Sequence, residues 1–238
     1  MIHRVYAILT TAVIALTTHF SIIAQSQQYI DLMGQADQYI TVGEWTLAEE
    51  CLREALEIEP ECPTNVMLYT NLGVVLFNQA RDKESIEALT KAHEMAPKSA
   101  NILNLRAKIY RALHKNADAL SDYEDIILLD STNVAARQDH ALLAIEMGKS
   151  RWAVKDCKAL ETLGNDNLEA ITACGNIYAS MKRWSEATEY FSRAIDIKPS
   201  ADLYASRALT YLMKNRLTEA SADITSGLEL DPDTSRLY

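Results

Sequence analysis

The stretch that decides the fold is residues 168–200, which read LEAITACGNIYASMKRWSEATEYFSRAIDIKPS. Its first half carries apolar and small side chains at the spacing of a single helix face, and a polar break at 182–185 separates it from a second apolar stripe. Pro199 prevents the second helix from continuing. The stretch therefore predicts two helices joined by a short turn. The first stripe is Ala170, Ile171, Cys174, Gly175 and Tyr178, and the second is Ala187, Phe191, Ala194 and Ile195.

The same arrangement recurs along the chain with a period close to 34 residues. A small residue marks the first helix at intervals of 37, 34, 34, 34 and 33 residues, and a second small residue follows each one by twelve positions. Small side chains allow two helix backbones to approach closely, so we expect both series at the contact within each helix pair. The first series is Ala36, Gly73, Ala107, Ala141, Gly175 and Ala208, and the second is Ala48, Ser85, Ala119, Ala153, Ala187 and Ala220.

These residues resemble the tetratricopeptide repeat family, whose pattern is small-x2-Tyr, then Ala-x3-aromatic-x2-Ala, then Pro. Residues 168–200 match it best, and residues 134–167 match it least because Ala144 and Asn165 occupy the Tyr and Pro positions. The resemblance covers about residues 27–233 and implies an all-α, right-handed superhelical solenoid of antiparallel helix pairs. We predict one solenoid with repeats at 29–62, 66–99, 100–133, 134–167, 168–200 and 201–234. The longer first interval places a longer connecting loop at residues 61–65.

The first 24 residues have the three-part pattern of a secretory signal peptide. A short basic start ending at Arg4 precedes the apolar run from Val5 to Leu16, and Ala24 is a small residue suited to cleavage. We therefore expect export to the periplasm or the extracellular space. The alternative is an uncleaved membrane anchor, because Val5 to Ala24 spans 20 residues, nominally enough to cross a bilayer.

Composition and motifs argue against several classes of function. The chain has 33 acidic and 23 basic residues, a net charge of −10, which disfavours binding to nucleic acids. No P-loop, dinucleotide-binding loop, nucleophile elbow or CxxC pair is present in the sequence, and the histidines are scattered. We therefore expect no catalytic residue, no metal site and no cofactor. Cys157 and Cys174 fall on helices that should be neighbours, so a disulfide and a pair of buried thiols are both open.

The resemblance implies that the first helix of each repeat lines a concave groove that binds a partner. Lys108 and Arg111 would form a basic centre able to hold a carboxylate. The apolar positions on these helices have an alternative role, which is packing against neighbouring first helices. The candidate partner-binding residues are Asn71, Phe77, Asn104, Lys108, Arg111, Gln138 and Asn176.

One known tetratricopeptide subtype clamps the acidic C-terminal tail of cytosolic chaperones. Its first three repeats supply Lys and Asn, then Asn, then Lys and Arg. Here only Asn71 matches, because the other corresponding positions hold Met33, Asp37, Asn101 and Leu105. The residues do not support chaperone-tail binding.

The sequence thus predicts an exported, non-enzymatic scaffold that binds a protein or peptide in its groove, in envelope assembly or secretion. A first alternative is the same scaffold tethered to a membrane by its N-terminal segment; membrane contact is expected only in that case. A second alternative is a carbohydrate- or small-ligand-binding module that uses the groove aromatics Tyr69, Phe77, Tyr110 and Tyr178.

Overall fold

The structure is a computed structural model, and it describes residues 27–232. The predicted signal peptide at 1–24 lies outside these residues. Within 27–232 every regular element is an α-helix and no strand occurs, which confirms the predicted all-α class. No helix in this range is both long and apolar enough to span a bilayer.

Twelve helices follow one another between residues 27 and 232, and consecutive helices form pairs. The six pairs occupy residues 27–58, 65–95, 100–129, 134–161, 168–197 and 201–230. The helices are α1 (27–42), α2 (Trp45–Ile58), α3 (Asn65–Asn78), α4 (Asp82–Met95), α5 (Ala100–Ala112), α6 (Asn116–Leu129), α7 (Val134–Glu146), α8 (Ser150–Glu161), α9 (Leu168–Ser180), α10 (Trp184–Ile197), α11 (Ala201–Met213) and α12 (Leu217–Leu230).

A left-handed residue joins the two helices of each pair. These residues have φ between 56° and 79°, and each lies seven positions after the small residue of the first helix. The following residue donates its N–H to a carbonyl five positions earlier, as from Arg183 to Tyr178 at 2.9 Å, which ends the first helix and reverses the chain. The six positions are Gly43, Ala80, His114, Gly148, Lys182 and Asn215.

Within the described residues the chain divides into two compact units, one ending at Ile109 and the other beginning at Tyr110, with the boundary inside α5. In the first unit, α3 and α4 approach so closely that a Cβ on Gly73 would lie 2.5 Å from Cγ of Leu89. The Ser85 hydroxyl donates a 2.6 Å hydrogen bond to the Gly73 carbonyl at this crossing. The buried core of the unit includes Leu52 and Leu76.

The longer loop expected at 61–65 is held against the first helix. The Asn65 side chain is fully buried and donates to the carbonyls of Glu59 at 2.6 Å and Pro60 at 3.1 Å. The Tyr29 hydroxyl donates to Asn65 Oδ1 at 2.8 Å. These bonds satisfy the carbonyls of Glu59 and Pro60, directly before the insertion, and fix the chain at that point.

In the second compact unit, α9 and α10 meet at an equally tight crossing. A Cβ on Gly175 would lie 2.6 Å from Cε1 of Phe191, so the aromatic ring occupies the space that a larger side chain would need. Burial extends to both small series of the whole chain. All residues assigned to helix packing are buried, namely Ala36, Gly73, Ala107, Ala141, Gly175, Ala208, Ala48, Ala119, Ala153, Ala187 and Ala220.

Candidate functional site

An open groove of about 530 Å³ lies in the second compact unit. Three first helices, α7, α9 and α11, form most of its lining. Side chains from α10 and α12 complete it. The first-helix residues that concern its chemistry are Gln138, Leu142, Asn176, Ala179, Leu209 and Leu212.

The groove combines exposed apolar surface with unpaired amides. Leu209 is 55% exposed and Leu212 is 46% exposed, although both are large apolar side chains. The side-chain amides of Gln138 and Asn176 have no hydrogen-bond partner among residues 27–232, so their donors and acceptors face solvent. Apolar surface beside free amides is the arrangement that an extended peptide needs, because its side chains require pockets and its backbone requires hydrogen bonds.

Two of the seven predicted binding residues, Gln138 and Asn176, therefore come together in this groove. A third, Arg111, lies in the same compact unit but is already engaged, since its Nη2 is 3.0 Å from Oε1 of Glu146. Burial lowers the pKa of Arg111, but the neighbouring Tyr123 hydroxyl and the Glu146 carboxylate outweigh it and raise the pKa overall. The proposed basic centre is thus partly neutralised by the protein itself.

The other four predicted residues lie in the first compact unit. Asn71 donates its side-chain amide to Oδ1 of Asp37 at 3.0 Å, which ties α3 to α1. Phe77 and Asn104 are half-buried, and Lys108 is exposed. In this unit, Lys108 is therefore the predicted residue that presents a charge to solvent.

The alternative role of the apolar first-helix positions holds for some residues and fails for others. Ile145 packs against the core of the second compact unit, as that alternative expected. Leu209 and Leu212, at the equivalent positions of α11, remain largely exposed. The distinction depends on whether a neighbouring helix covers the position, which periodicity cannot report.

Sequence reasoning missed the second-helix contribution to the groove. Trp184, the first residue of α10, and Ile224 of α12 both line it. The sequence contained a signal for Trp184, because a tryptophan also occurs at the same place in the first pair, Trp45. The hydropathy pattern alone assigns Trp184 to the break at 182–185.

Not all of the aromatic residues named for carbohydrate binding are available to a sugar. Tyr178 is buried, and its ring stacks on Tyr190 with centroids 5.3 Å apart. The Arg183 guanidinium lies 4.8 Å from the Tyr178 ring centroid. Tyr69 and Tyr110 are half-buried. Tyr178 therefore serves the core and does not present its ring to a sugar.

Two cysteines on neighbouring helices are buried in the described part of the chain. Cys157 and Cys174 are buried free thiols, and Cys174 Sγ donates to the Cys157 carbonyl at 3.7 Å. The hydrogen bond with Cys174, together with burial, raises the pKa of the Cys157 thiol. Of the two arrangements that the sequence left open, the structure has the buried thiols. Residues 27–232 contain no cluster of three or more His, Cys, Asp or Glu side chains able to hold a metal ion.

Comparison with known proteins places this geometry in context. The tetratricopeptide repeat family model matches residues 68–99 and 168–200. The DnaJ homolog subfamily C member 7 homolog of Schizosaccharomyces pombe is 29% identical over 136 residues, which is 57% of this chain and 29% of that protein. U-box domain-containing protein 70 of Oryza sativa subsp. japonica is 23% identical over 181 residues, which is 74% of this chain and 22% of that protein. The chain thus spans less than a third of the length of these two relatives.

Solved structures match over most of the chain. A tetratricopeptide repeat protein from Parabacteroides merdae ATCC 43184 superposes with a TM-score of 0.70 at 27% identity, over 89% of this chain and 83% of that one. PilW, described as a widely conserved type IV pilus biogenesis factor, gives 0.61 at 15% identity, over 88% and 96%. YrrB, described as a protein with an unusual peptide-binding site, gives 0.50 at 19% identity, over 80% and 97%. The chain therefore contains tetratricopeptide repeats, at 68–99 and 168–200, and has the all-α solenoid fold of proteins built from them.

Proposed function

We propose that this protein is a non-enzymatic scaffold that binds a partner polypeptide in the groove formed by α7, α9 and α11. The observation that carries the proposal is the exposure of Leu209 and Leu212 beside the unpaired amides of Gln138 and Asn176. A preformed groove lowers the ordering cost of capturing an extended segment. The peptide-binding site described for YrrB, a structure of the same fold, supports this choice of ligand.

The proposal includes the number of repeats and the location of the protein. All six helix pairs are repeats of one kind, and the left-handed residue that recurs seven positions after each small residue supports this count. Residues 1–24 direct export, and the scaffold acts in envelope assembly or secretion outside the cytoplasm. A tethered form that keeps residues 1–24 as an anchor is the alternative, and the intact mass of the protein purified from its host distinguishes the two.

Site-specific photocrosslinking in the native host tests the groove. A benzophenone amino acid replaces Leu209 in one variant, and replaces Leu128 in a matched control, because Leu128 is 84% exposed on α6 and does not line the groove. We expect a crosslinked polypeptide from position 209 and not from position 128. The additional change Leu212→Asp should reduce that crosslink about tenfold by placing a charge in the apolar part of the groove. Equal crosslinking at both positions would refute the proposed groove.

A further inference from the structure

The turns inside the pairs α7–α8, α9–α10 and α11–α12 carry an excess of positive charge. With the adjoining helix ends they cover residues 145–152, 179–187 and 212–220, all within the second compact unit. Together these ranges contain six basic and three acidic side chains, whereas the whole chain has 23 basic and 33 acidic residues. We call the six bases the basic edge; they are Lys149, Arg151, Lys182, Arg183, Lys214 and Arg216.

The three turns lie beside one another. Arg151 and Arg183, which belong to successive pairs, line the same open cavity of about 340 Å³. Lys214, from the next pair along the chain, acts on Glu186. The pKa of that carboxyl is lowered mainly by its hydrogen bond with Arg183, and the positive charge of Lys214 lowers it further. The six bases therefore belong to one continuous surface.

The acidic side chains of these turns neutralise only part of this charge. Glu186 pairs with Arg183. Glu219 pairs with Arg216, whose Nη2 lies 2.5 Å from its Oε1. Glu146 pairs at 3.0 Å with an arginine of α5, outside the basic edge. The remaining four bases form no ion pair with any residue among 27–232, and these are Lys149, Arg151, Lys182 and Lys214.

Large apolar side chains are exposed in the same turns. Leu217 is 63% exposed, Met213 is 54% exposed and Trp152 is 38% exposed. Each is next in the sequence to a residue of the basic edge. The Lys149 ammonium lies 4.3 Å from the ring centroid of Trp152. Bases beside exposed tryptophan and aliphatic side chains suit a bilayer surface, because the apolar groups enter the interfacial layer while the charges stay among the headgroups.

The types of residue favour a lipid surface over an acidic polypeptide. Arginine recognises a single carboxylate best, through two parallel hydrogen bonds, but Arg183 and Arg216 already pair within the protein. Three of the four unpaired bases are lysines, which act as point charges and need no fixed partner geometry. A bilayer offers many negative headgroups in one plane, so several turns can contact it at once.

We propose that the basic edge docks on the surface of a membrane that contains anionic lipids. The four unpaired bases contact the phosphate groups of the lipids, and the three exposed apolar side chains enter the interfacial layer. This contact differs from the tether considered above, because it uses the turns and not residues 1–24. It also leaves the peptide groove free, and it does not depend on the function proposed above.

Co-sedimentation of the full chain with lipid vesicles tests this docking. One set of vesicles is phosphatidylcholine, and the other is an equal mixture of phosphatidylcholine and phosphatidylglycerol. We expect at least about tenfold tighter binding to the anionic vesicles at low salt, and loss of this preference near 1 M salt, where charges are screened within about 3 Å. Residues 1–24 contain one lysine or arginine, Arg4, so their apolar run would bind both kinds of vesicle alike.

A pair of charge-reversal variants assigns the preference to the edge. Arg151→Glu combined with Lys182→Glu should abolish the preference for anionic vesicles. Lys155→Glu combined with Lys158→Glu is the matched control, because it changes the net charge equally on α8 outside the turns, and it should keep the preference within about twofold. All four side chains are exposed, so both variants retain the fold, which circular dichroism checks.

Three results would overturn the proposal. The first is equal binding of the full chain to the two kinds of vesicle at low salt. The second is an unchanged preference in the variant that carries Arg151→Glu and Lys182→Glu. The third is binding to polyglutamate without a preference for anionic vesicles, which would assign the basic edge to an acidic polypeptide instead of a membrane.

Discussion

Single glycines decide how closely the helices of a pair approach. At Gly175 a Cβ would meet the Phe191 ring at 2.6 Å, with ring atoms at 2.8 and 3.1 Å behind it. The Phe191 ring is only 2% exposed at this crossing. The same position in three other pairs holds alanine at 0% exposure, namely Ala36, Ala107 and Ala141, which shows that the size limit depends on the partner side chain.

Gly175→Ala should therefore lower the free energy of unfolding by about 1–3 kcal/mol through overpacking. The measurement is urea denaturation of the purified protein. A double-mutant cycle with Phe191→Leu identifies the cause, because the smaller side chain makes room for the added methyl group. The double variant should lose less free energy of unfolding than the two single variants lose in total. Strict additivity would mean that the glycine and the ring do not compete for space.

At the scale of the element, the turn inside each helix pair is set by one left-handed residue. Gly148 has φ of 73°, whereas Ala80, His114, Lys182 and Asn215 hold φ of 56–59° without being glycine. A side chain in this conformation is strained, so these four turns persist because the two helices pack firmly. The sequence indicated where each helix ends. Which residue adopts the left-handed conformation is set by the packing of the two helices.

Gly148→Ala measures the backbone strain that a side chain causes at this turn. A Cβ at Gly148 meets nothing within 4 Å, so the change adds strain without a clash. We expect a loss of about 1 kcal/mol in unfolding free energy. Gly34→Ala is the control, because Gly34 lies inside α1 with equally open surroundings, and alanine there should stabilise the helix by up to about 1 kcal/mol. A stabilising Gly148→Ala would contradict the left-handed turn.

A charged network connects α2 and α4 and makes their contact sensitive to acid. Arg81 Nη1 lies 2.6 Å from Oε2 of Glu49, and Arg53 Nε lies 2.7 Å from Oε1 of Glu49. The hydrogen bond from Arg81 holds the pKa of Glu84 below its usual range. Burial raises the pKa of Glu49, but the hydrogen bonds from Arg53 and Arg81 outweigh it, so that pKa is also lowered.

Arg81→Met should therefore destabilise the protein more at neutral pH than in acid. Carboxyls with lowered pKa contribute stability that is fully present above about pH 4.5, their unfolded value, and is lost as the pH falls through the lowered pKa. Denaturation of both proteins at pH 7 and pH 3 measures the difference, which should shrink in acid. A gap that stays constant between these pH values would exclude the network as its source.

At the scale of the whole molecule, the chain groups into two compact units that meet inside α5. In such repeat architectures each pair contacts its neighbours, so local damage spreads over a short distance along the chain. Gly73→Ala should place a methyl group against Leu89, where a Cβ would lie 2.5 Å from Cγ. Hydrogen exchange should then accelerate by about tenfold or more in α3 and α4 and remain unchanged in α9 to α12. Uniform acceleration along the chain would indicate a single cooperative unit.

The periodicity of the sequence was sufficient to predict helices, their pairing and the buried small residues, because each depends on contacts within about one repeat. The resemblance to tetratricopeptide repeats, rather than periodicity, implied that Gln138 and Asn176 line a groove, and both residues do line one. Periodicity assigns each side chain to one face of its helix. Because the pattern is the same in every first helix, it could not show which of the equivalent positions a neighbouring helix buries.

Tertiary structure alone decided the remainder. Spacing along one helix reveals partners one turn apart, whereas Asp156 lies sixteen positions from His140, on the next helix. The capture of Arg111 by Glu146, 35 positions away, and the exposure of Leu209 have the same origin. Each depends on which side chains from separate helices arrive at one point in space, and that is set by packing between helices, which the period of a single helix does not contain.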